Sequence, residues 1–165
     1  MDELNSKITE LVNLCRKNKL KLATAESCTG GLISSLITSI SGSSEIFELS
    51  YVTYSNQSKI DLLNIDPNRV KEFGAVSSQV CSDMSQNLIK LNTNVDIAIS
   101  VSGIAGPKSD ETRKEVGLVY ISVSNKEDTV CEEYRFGNIG RENVRNQTVL
   151  EAINLCMNKI NQLYK

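Results

Sequence analysis

Histidine is absent from the 165 residues of this sequence. A Ser-His-Asp triad, a Cys-His pair and a histidine-ligated metal are therefore excluded. Any acid–base catalysis must come from Lys, Tyr, Cys, Asp or Glu side chains. This absence narrows the possible chemistry more than any residue that is present.

Paired cysteines are also lacking. The cysteines are odd in number, widely spaced and without a C-x-x-C pair. They are Cys15, Cys28, Cys81, Cys131 and Cys156. This spacing argues against a disulfide framework and against a zinc site, and it favours a reducing cytosol. We expect most of them to be small core residues, and we expect no metal.

Long apolar runs and basic clusters are missing as well. No run approaches the roughly 20 apolar residues that cross a bilayer, and the N-terminal residues lack the apolar core of a signal peptide. The net charge is −2 and the basic residues are dispersed, whereas a nucleic-acid surface needs a basic stripe. We therefore predict a cytoplasmic protein with no membrane partner and no nucleic-acid partner.

The sequence predicts a single α/β domain over residues 1–165. Hydrophobic residues make up 40% of the chain, which is enough for a buried core. A short helix is predicted between a cap at Ser55-Asn56 and Asp66. The periodicity predicts further helices over 2–19, 32–40, 77–91 and 142–163, and strands over 21–26, 47–54, 96–102, 116–123 and 129–136. Because the two types intermingle, we expect a mixed sheet with helices on both faces.

Residues 26–31, Glu-Ser-Cys-Thr-Gly-Gly, connect a predicted strand to a predicted helix. Small residues in such a turn let backbone N–H groups point outward, where they can stabilise an oxyanion beside a serine. Ser27 is thus a candidate nucleophile, with oxyanion donors near Thr29, Gly30 and Gly31. The alternative is a capped helix start in which Ser27 and Thr29 only satisfy backbone groups. The spacing alone leaves both interpretations open.

Lys59 is the candidate base. It falls in the first turn of the short helix, where the dipole disfavours a cation by about 0.3–1 kcal/mol. A neutral lysine near pH 7 requires its pKa to fall by roughly three units, or about 4 kcal/mol. Burial must therefore supply most of the shift. A surface lysine is the ordinary alternative, and only the pairing with Ser27 favours catalysis.

Two further pairs of residues are candidates for ligand binding. Arg141 and Arg145 share a face at the start of the last helix and could hold a phosphate; the alternative is a solvated face with a Glu142–Arg145 ion pair. Ser100 and Ser102 share one face of a strand that leads into Gly103, at the edge where α/β proteins bind ligands. Hydrogen-bonded core serines are the alternative there.

These segments together resemble the CinA C-terminal domain family, some of whose stand-alone members are nicotinamide-nucleotide amidohydrolases. The order and spacing hold over nearly the whole chain. The matching stretches are 24–31 (TAESCTGG), 52–56 (VTYSN) with Lys59, 74–77 (GAVS) and 100–107 (SVSGIAGP).

The resemblance implies a three-layer α/β/α sandwich with a mixed, mostly parallel sheet, in a homo-oligomer of two or more copies. It implies hydrolysis of the carboxamide of nicotinamide mononucleotide to nicotinic acid mononucleotide and ammonia, with no cofactor. The family's nucleophile falls on Ser27, its base on Lys59 and its accompanying tyrosine on Tyr54, through which the proton could pass. Its arginine segment falls on Arg141 and Arg145.

Two loops depart from the family pattern. The family usually shows Gly-Gly after Gly106-Pro107, but here residues 108–113 read Lys-Ser-Asp-Glu-Thr-Arg. The family's Gly-Asp-Arg before the last helix appears as Ile139-Gly140-Arg141. Both loops are expected to contact the ligand, so the departures bear on the choice of substrate.

Three alternatives remain open at this point. Cys28, which is also expected at the substrate site, could be the nucleophile, with Glu26 and Lys59 completing a Cys-Lys-acid set. The chain could instead be a non-catalytic nucleotide-binding or regulatory module that retains the pocket. A role in DNA uptake is the third, and the acidic net charge argues against it.

Overall fold

The sheet contains five strands in the computed structural model, which describes residues 2–165. The strands are β1 (Leu22–Glu26), β2 (Phe47–Val52), β3 (Ile97–Gly103), β4 (Leu118–Ser124) and β5 (Thr129–Arg135). Their order in the sheet is β2-β1-β3-β4-β5. The pairings of β1 with β2 and β3 are parallel, and those of β4 with β3 and β5 are antiparallel. Only β4 is therefore reversed, which confirms the mixed, mostly parallel sheet.

In the described part of the chain, six helices cover the two faces of this sheet. They are α1 (Asp2–Lys17), α2 (Leu32–Thr38), α3 (Asn56–Leu63), α4 (Pro67–Phe73), α5 (Ser78–Leu91) and α6 (Arg141–Leu163). A 3-10 turn, Ser43–Glu45, precedes β2. Helices α1, α2 and α6 pack on one face, and α3, α4 and α5 pack on the other. The three-layer α/β/α sandwich is thus confirmed.

The alternation of side chains along β3 separates two cores. Ile97, Ile99 and Val101 belong to the larger core beneath α1, α2 and α6. Ala98 belongs to the smaller core beneath α3, α4 and α5. Ser100 lies on that second face, where its hydroxyl donates to the Cys81 carbonyl of α5 at 2.7 Å. The period of two in the sequence therefore places Ser100 and Ser102 on the face of β3 opposite the larger core.

Helix α4 is not predicted by the sequence pattern. The helix predicted before it ends ahead of Asp66-Pro67, and this boundary is consistent with the structure. However, Pro67 is also the first residue of a new helix, and the Asp66 carboxylate caps it by accepting from Asn68 N–H at 2.9 Å. Proline is favoured at this position because the first helical N–H has no intrahelical partner.

The parallel strands bring three turns to one edge of the sheet. The chain leaves β1 at Ser27, β2 at Thr53 and β3 at Ile104, all at the carboxyl ends of their strands. Open α/β sheets bind ligands at this edge. Of the helices within residues 2–165, none has both the length and the apolar character needed to cross a membrane.

Candidate active site

The Ser27 and Lys59 side chains meet at this edge of the sheet. Lys59 is the fourth residue of α3, a helix capped by the Ser55 hydroxyl, which accepts from Ser58 N–H at 3.0 Å. Its Nζ lies 3.0 Å from Ser27 Oγ and 2.7 Å from the Thr53 carbonyl oxygen. Both side chains are enclosed, since Lys59 is 1% exposed and Ser27 is 8% exposed. The structure thus brings the candidate nucleophile and base into hydrogen-bond contact.

Burial determines the protonation of Lys59. It lowers the pKa of the amine from its ordinary value of 10.5 to about 8, against a smaller opposing influence of the Cys28 and Cys81 thiols. Within the described part of the chain, no carboxylate lies within 4.0 Å of Lys59 Nζ. Without a counter-ion, desolvation favours the neutral form. A fraction of the amine is therefore available as a base at neutral pH.

A buried glutamate holds the serine turn in place. The Glu26 carboxylate is fully buried and accepts from the Thr29 hydroxyl at 2.7 Å, Ile33 N–H at 2.8 Å and Ser34 N–H at 3.0 Å. These bonds tie the end of β1 to the first turn of α2. Glu26 is thus occupied in supporting the turn and does not complete a Cys-Lys-acid set.

Three backbone N–H groups of the turn have no main-chain acceptor among the described residues. Ser27 N–H donates to the Val101 carbonyl at 3.2 Å, and Gly30 N–H donates to the Ser27 carbonyl at 3.0 Å. No main-chain carbonyl of the described residues accepts from Cys28, Thr29 or Gly31 N–H. The expected oxyanion donors are therefore corrected: the Gly30 N–H is used within the turn. Gly30 instead supplies a left-handed φ of 59°, which favours glycine.

Cys28 is adjacent to Ser27 in the chain, but burial affects the protonation of its thiol. Burial raises the pKa of its thiol to about 12, so the thiol stays protonated at neutral pH. A buried thiol of this kind is a weak nucleophile, because the thiolate is the reactive form. The amine of Lys59 forms its side-chain hydrogen bond with Ser27. This geometry favours serine over cysteine as the nucleophile.

The Ser27–Lys59 pair opens into a cavity of about 270 Å³. Ser27, Cys28 and Lys59 are among the residues that line it. The remaining lining residues come from the turn after β2 and the start of α3, from the end of β3 and the loop after it, from the segment before α5, and from the start of α6; they are Tyr54, Asn56, Ala75, Val76, Ser102, Gly103, Ile104, Ala105, Gly106, Lys108, Ser109, Asp110 and Arg141.

Tyr54 does not lie between Lys59 and Ser27. Its side chain is exposed, and its hydroxyl accepts from Arg141 Nη2 at 3.0 Å. Lys59 reaches Ser27 directly. The expectation that a proton could pass through the tyrosine is therefore corrected, and Tyr54 forms part of the cavity wall.

The two arginines have different partners. Arg141 lines the cavity and donates through Nη1 to the Gly106 carbonyl at 2.7 Å. Arg145 does not line the cavity; its Nη2 donates to the Thr29 carbonyl at 2.9 Å. The alternative Glu142–Arg145 ion pair is not formed in the described chain. The two arginines therefore do not share one site as expected: Arg141 lines the cavity, and Arg145 contacts the serine turn.

Two serines on β3 also have different roles. Ser100 is a core serine, since its hydroxyl donates to the Cys81 carbonyl. Ser102 lines the cavity and donates to the Ala75 carbonyl at 2.8 Å. Gly103 follows it, and a Cβ there would lie 2.5 Å from Val119 Cγ2. Glycine is therefore required for β4 to approach β3 at the edge of the site.

The sequence pattern predicts no role for Lys108, Ser109 and Asp110, although their loop departs from the family pattern. All three line the cavity. Their position after the carboxyl end of β3 was the available signal, because loops at this edge surround the ligand.

Comparisons with known proteins agree with this architecture. Fold and site define an open α/β protein whose polar cavity lies at the carboxyl edge of its parallel strands. The family model described as "CinA C-terminal domain" matches residues 4–160. The chain therefore belongs to the CinA C-terminal domain family, as the sequence resemblance indicated.

Individual relatives show how far the similarity extends. The chain is 45% identical over 150 residues to a "CinA-like protein" of Prochlorococcus marinus (strain MIT 9215) and 41% identical over 150 residues to a "Putative competence-damage inducible protein" of Caldicellulosiruptor bescii. These matches cover 91% of this chain but only 35% and 36% of those proteins. The chain thus spans about a third of the length of these curated relatives.

Solved structures match over almost their full length. The competence/damage inducible protein CihA from Agrobacterium tumefaciens is 33% identical, with a TM-score of 0.90 and coverage of 96% of this chain and 95% of that one. The competence damage-inducible protein A from Klebsiella pneumoniae subsp. pneumoniae MGH 78578 is 26% identical, with a TM-score of 0.92 and coverage of 96% and 97%. The described fold is that of these proteins.

Proposed function

We propose that the chain is a serine amidohydrolase that converts nicotinamide mononucleotide to nicotinic acid mononucleotide and ammonia. One observation carries the proposal: a buried lysine with a lowered pKa lies 3.0 Å from a serine hydroxyl in a cavity. A nucleophile beside its own base is the arrangement required for covalent catalysis. The substrate itself is taken from the family resemblance.

Acylation begins with a proton transfer from Ser27 to Lys59. The neutral amine keeps one N–H on the Thr53 carbonyl and accepts the Ser27 proton with its lone pair. The Ser27 oxygen then bonds to the carboxamide carbon, and the carbonyl electron pair moves to the oxygen. The backbone N–H groups of Cys28, Thr29 and Gly31 donate to no main-chain carbonyl of the described residues. One or more of them can therefore stabilise this oxyanion.

Collapse of the tetrahedral intermediate breaks the carbon–nitrogen bond. Lys59 returns its proton to the leaving nitrogen, so that ammonia departs and a nicotinoyl ester remains on Ser27. A water molecule then gives its proton to Lys59 and attacks the ester carbon. The carbon–oxygen bond to Ser27 breaks, and the serine oxygen recovers the proton from Lys59. The two steps leave both side chains in their starting states.

The direct test is ammonia release from nicotinamide mononucleotide by the wild-type chain at neutral pH with a chelator present. We expect equimolar ammonia and nicotinic acid mononucleotide. If neither product forms over the range from about pH 6 to pH 9, where Lys59 changes protonation, the proposed function is wrong.

A non-catalytic nucleotide-binding module is the second candidate. It is favoured by the substitution of Lys108, Ser109 and Asp110 for the family's usual glycines at the cavity wall. Calorimetric binding of nicotinamide mononucleotide without turnover would support it, and turnover would exclude it.

The homo-oligomer is likewise a proposal from the resemblance, to be measured by light scattering of the purified chain.

A further inference from the structure

Two cations face the same cavity. Lys108 and Arg141 both line it, and both are exposed. Within residues 2–165, no carboxylate lies within 4.0 Å of either cationic group. Two such charges at one cavity, without a counter-ion in the protein, favour an anionic ligand.

The start of α6 contacts the loop after β3, which carries Lys108. Arg141 donates to the Gly106 carbonyl at 2.7 Å, and Lys108 follows Gly106 by two residues. The Tyr54 hydroxyl accepts from the second terminal nitrogen of Arg141. These contacts use two of the five guanidinium N–H groups, so Arg141 retains donors for a ligand.

Among the described residues that line the cavity, Asp110 is the only acidic one. Its Oδ1 accepts from Thr112 N–H at 2.9 Å and also from the Thr112 hydroxyl. One oxygen of the Asp110 carboxylate is therefore already hydrogen-bonded within the loop. Together, the side chains of Lys108, Arg141 and Asp110 give this part of the cavity lining one net positive charge.

We propose that Lys108 is a specificity-determining residue that binds the phosphate of the substrate together with Arg141. The inference rests on the proposed function, since it assumes that the carboxamide lies at Ser27. Lys108 thereby takes the place of Arg145 as the second cation, because Arg145 is bonded to the Thr29 carbonyl. The chain would then prefer a phosphorylated nucleoside amide to the same nucleoside without phosphate.

The test compares nicotinamide mononucleotide with nicotinamide riboside, which lacks only the phosphate. Ammonia release is measured for the wild type, Lys108→Met and the control Lys90→Met, whose side chain is exposed at the end of α5. We expect Lys108→Met to lower kcat/KM for the mononucleotide by about tenfold, as for loss of a charged hydrogen bond. Activity on the riboside, and both activities of Lys90→Met, should change by less than about twofold.

Lys108→Arg adds a second check, because it keeps the charge and should retain most of the preference for the mononucleotide. An unchanged ratio of the two kcat/KM values in Lys108→Met would overturn the inference while leaving the proposed function intact. If the wild type cleaves neither compound, the proposed function fails. Calorimetric binding of nicotinamide mononucleotide then decides the role of Lys108: weaker binding by Lys108→Met supports it, and equal affinity contradicts it.

Discussion

The amine of Lys59 and the hydroxyl of Ser27 lie 3.0 Å apart, although 32 positions separate them in the sequence. The contact joins the turn after β1 to the helix after β2, two elements that the parallel pairing of these strands brings together. In a chain without histidine, this pair provides both a nucleophile and a base.

The activity should depend on pH through Lys59. Its pKa of about 8 means that the neutral base increases as pH rises. We expect kcat/KM to increase about 50-fold between about pH 6 and pH 8, and to level off above about pH 9. Initial rates of ammonia release at low substrate concentration measure this. A flat profile from about pH 6 to pH 8 would show that Lys59 is not the base.

Replacing Lys59 by methionine should remove activity and stabilise the fold. Burial lowers the lysine pKa from 10.5 to about 8, so folding at about pH 7 carries the cost of desolvating a charge. We expect the free energy of unfolding of Lys59→Met to rise by about 1–3 kcal/mol at about pH 7, after allowing for the lost hydrogen bonds. Urea denaturation of both proteins gives the difference.

The pH dependence of this difference gives an independent check. Between the folded pKa of about 8 and the unfolded value of 10.5, the unfolded lysine holds the proton more tightly. The free energy of unfolding of the wild type should therefore increase with pH across this window relative to that of Lys59→Met. The difference in unfolding free energy between the two proteins should narrow. A gap that widens over the same range would mean that burial does not lower the lysine pKa.

The Cys28 thiol should not be essential. Its pKa of about 12 keeps it protonated, and its replacement removes only a small buried group. We expect Cys28→Ala to keep kcat/KM within about tenfold of the wild type. Circular dichroism of the variant controls for folding. Complete loss of turnover by a folded Cys28→Ala protein would make the thiol the nucleophile.

Glu26 should act as a positioning residue. A glutamine at this site cannot accept all the bonds from Thr29, Ile33 and Ser34. We expect Glu26→Gln to lower the free energy of unfolding by about 2 kcal/mol and to reduce kcat more than it raises KM. The exposed Glu48→Gln serves as the matched control. If Glu26→Gln matches that control in both stability and kcat, the carboxylate does not hold the turn.

The sequence was sufficient for most of the fold because the elements have strong local signals. The sequence predicts helix starts at Ser55 and Ser77, which are caps in the structure, and β3 alternates as its pattern predicts. Helix α4 is not predicted, because Pro67 indicates a helix end as well as a helix start. Proline stops a helix that precedes it but also starts one that follows.

The site was predictable only in part. Ser27 and Lys59 sit at element boundaries whose positions follow from local patterns. The partners of Arg141 and Arg145 do not, because both lie on one helix face and only tertiary packing directs one to Gly106 and the other to Thr29. The entry of Lys108 into the cavity likewise depends on the path of a loop, which local sequence does not determine.

The central claim is most directly tested by the rate of ammonia release from nicotinamide mononucleotide by Ser27→Ala. The exposed Ser44→Ala serves as a control for loss of a hydroxyl. We predict a loss of at least about 10³-fold in kcat for Ser27→Ala, with unchanged thermal unfolding, and wild-type rates for Ser44→Ala. Wild-type turnover by the folded Ser27→Ala protein would contradict the account.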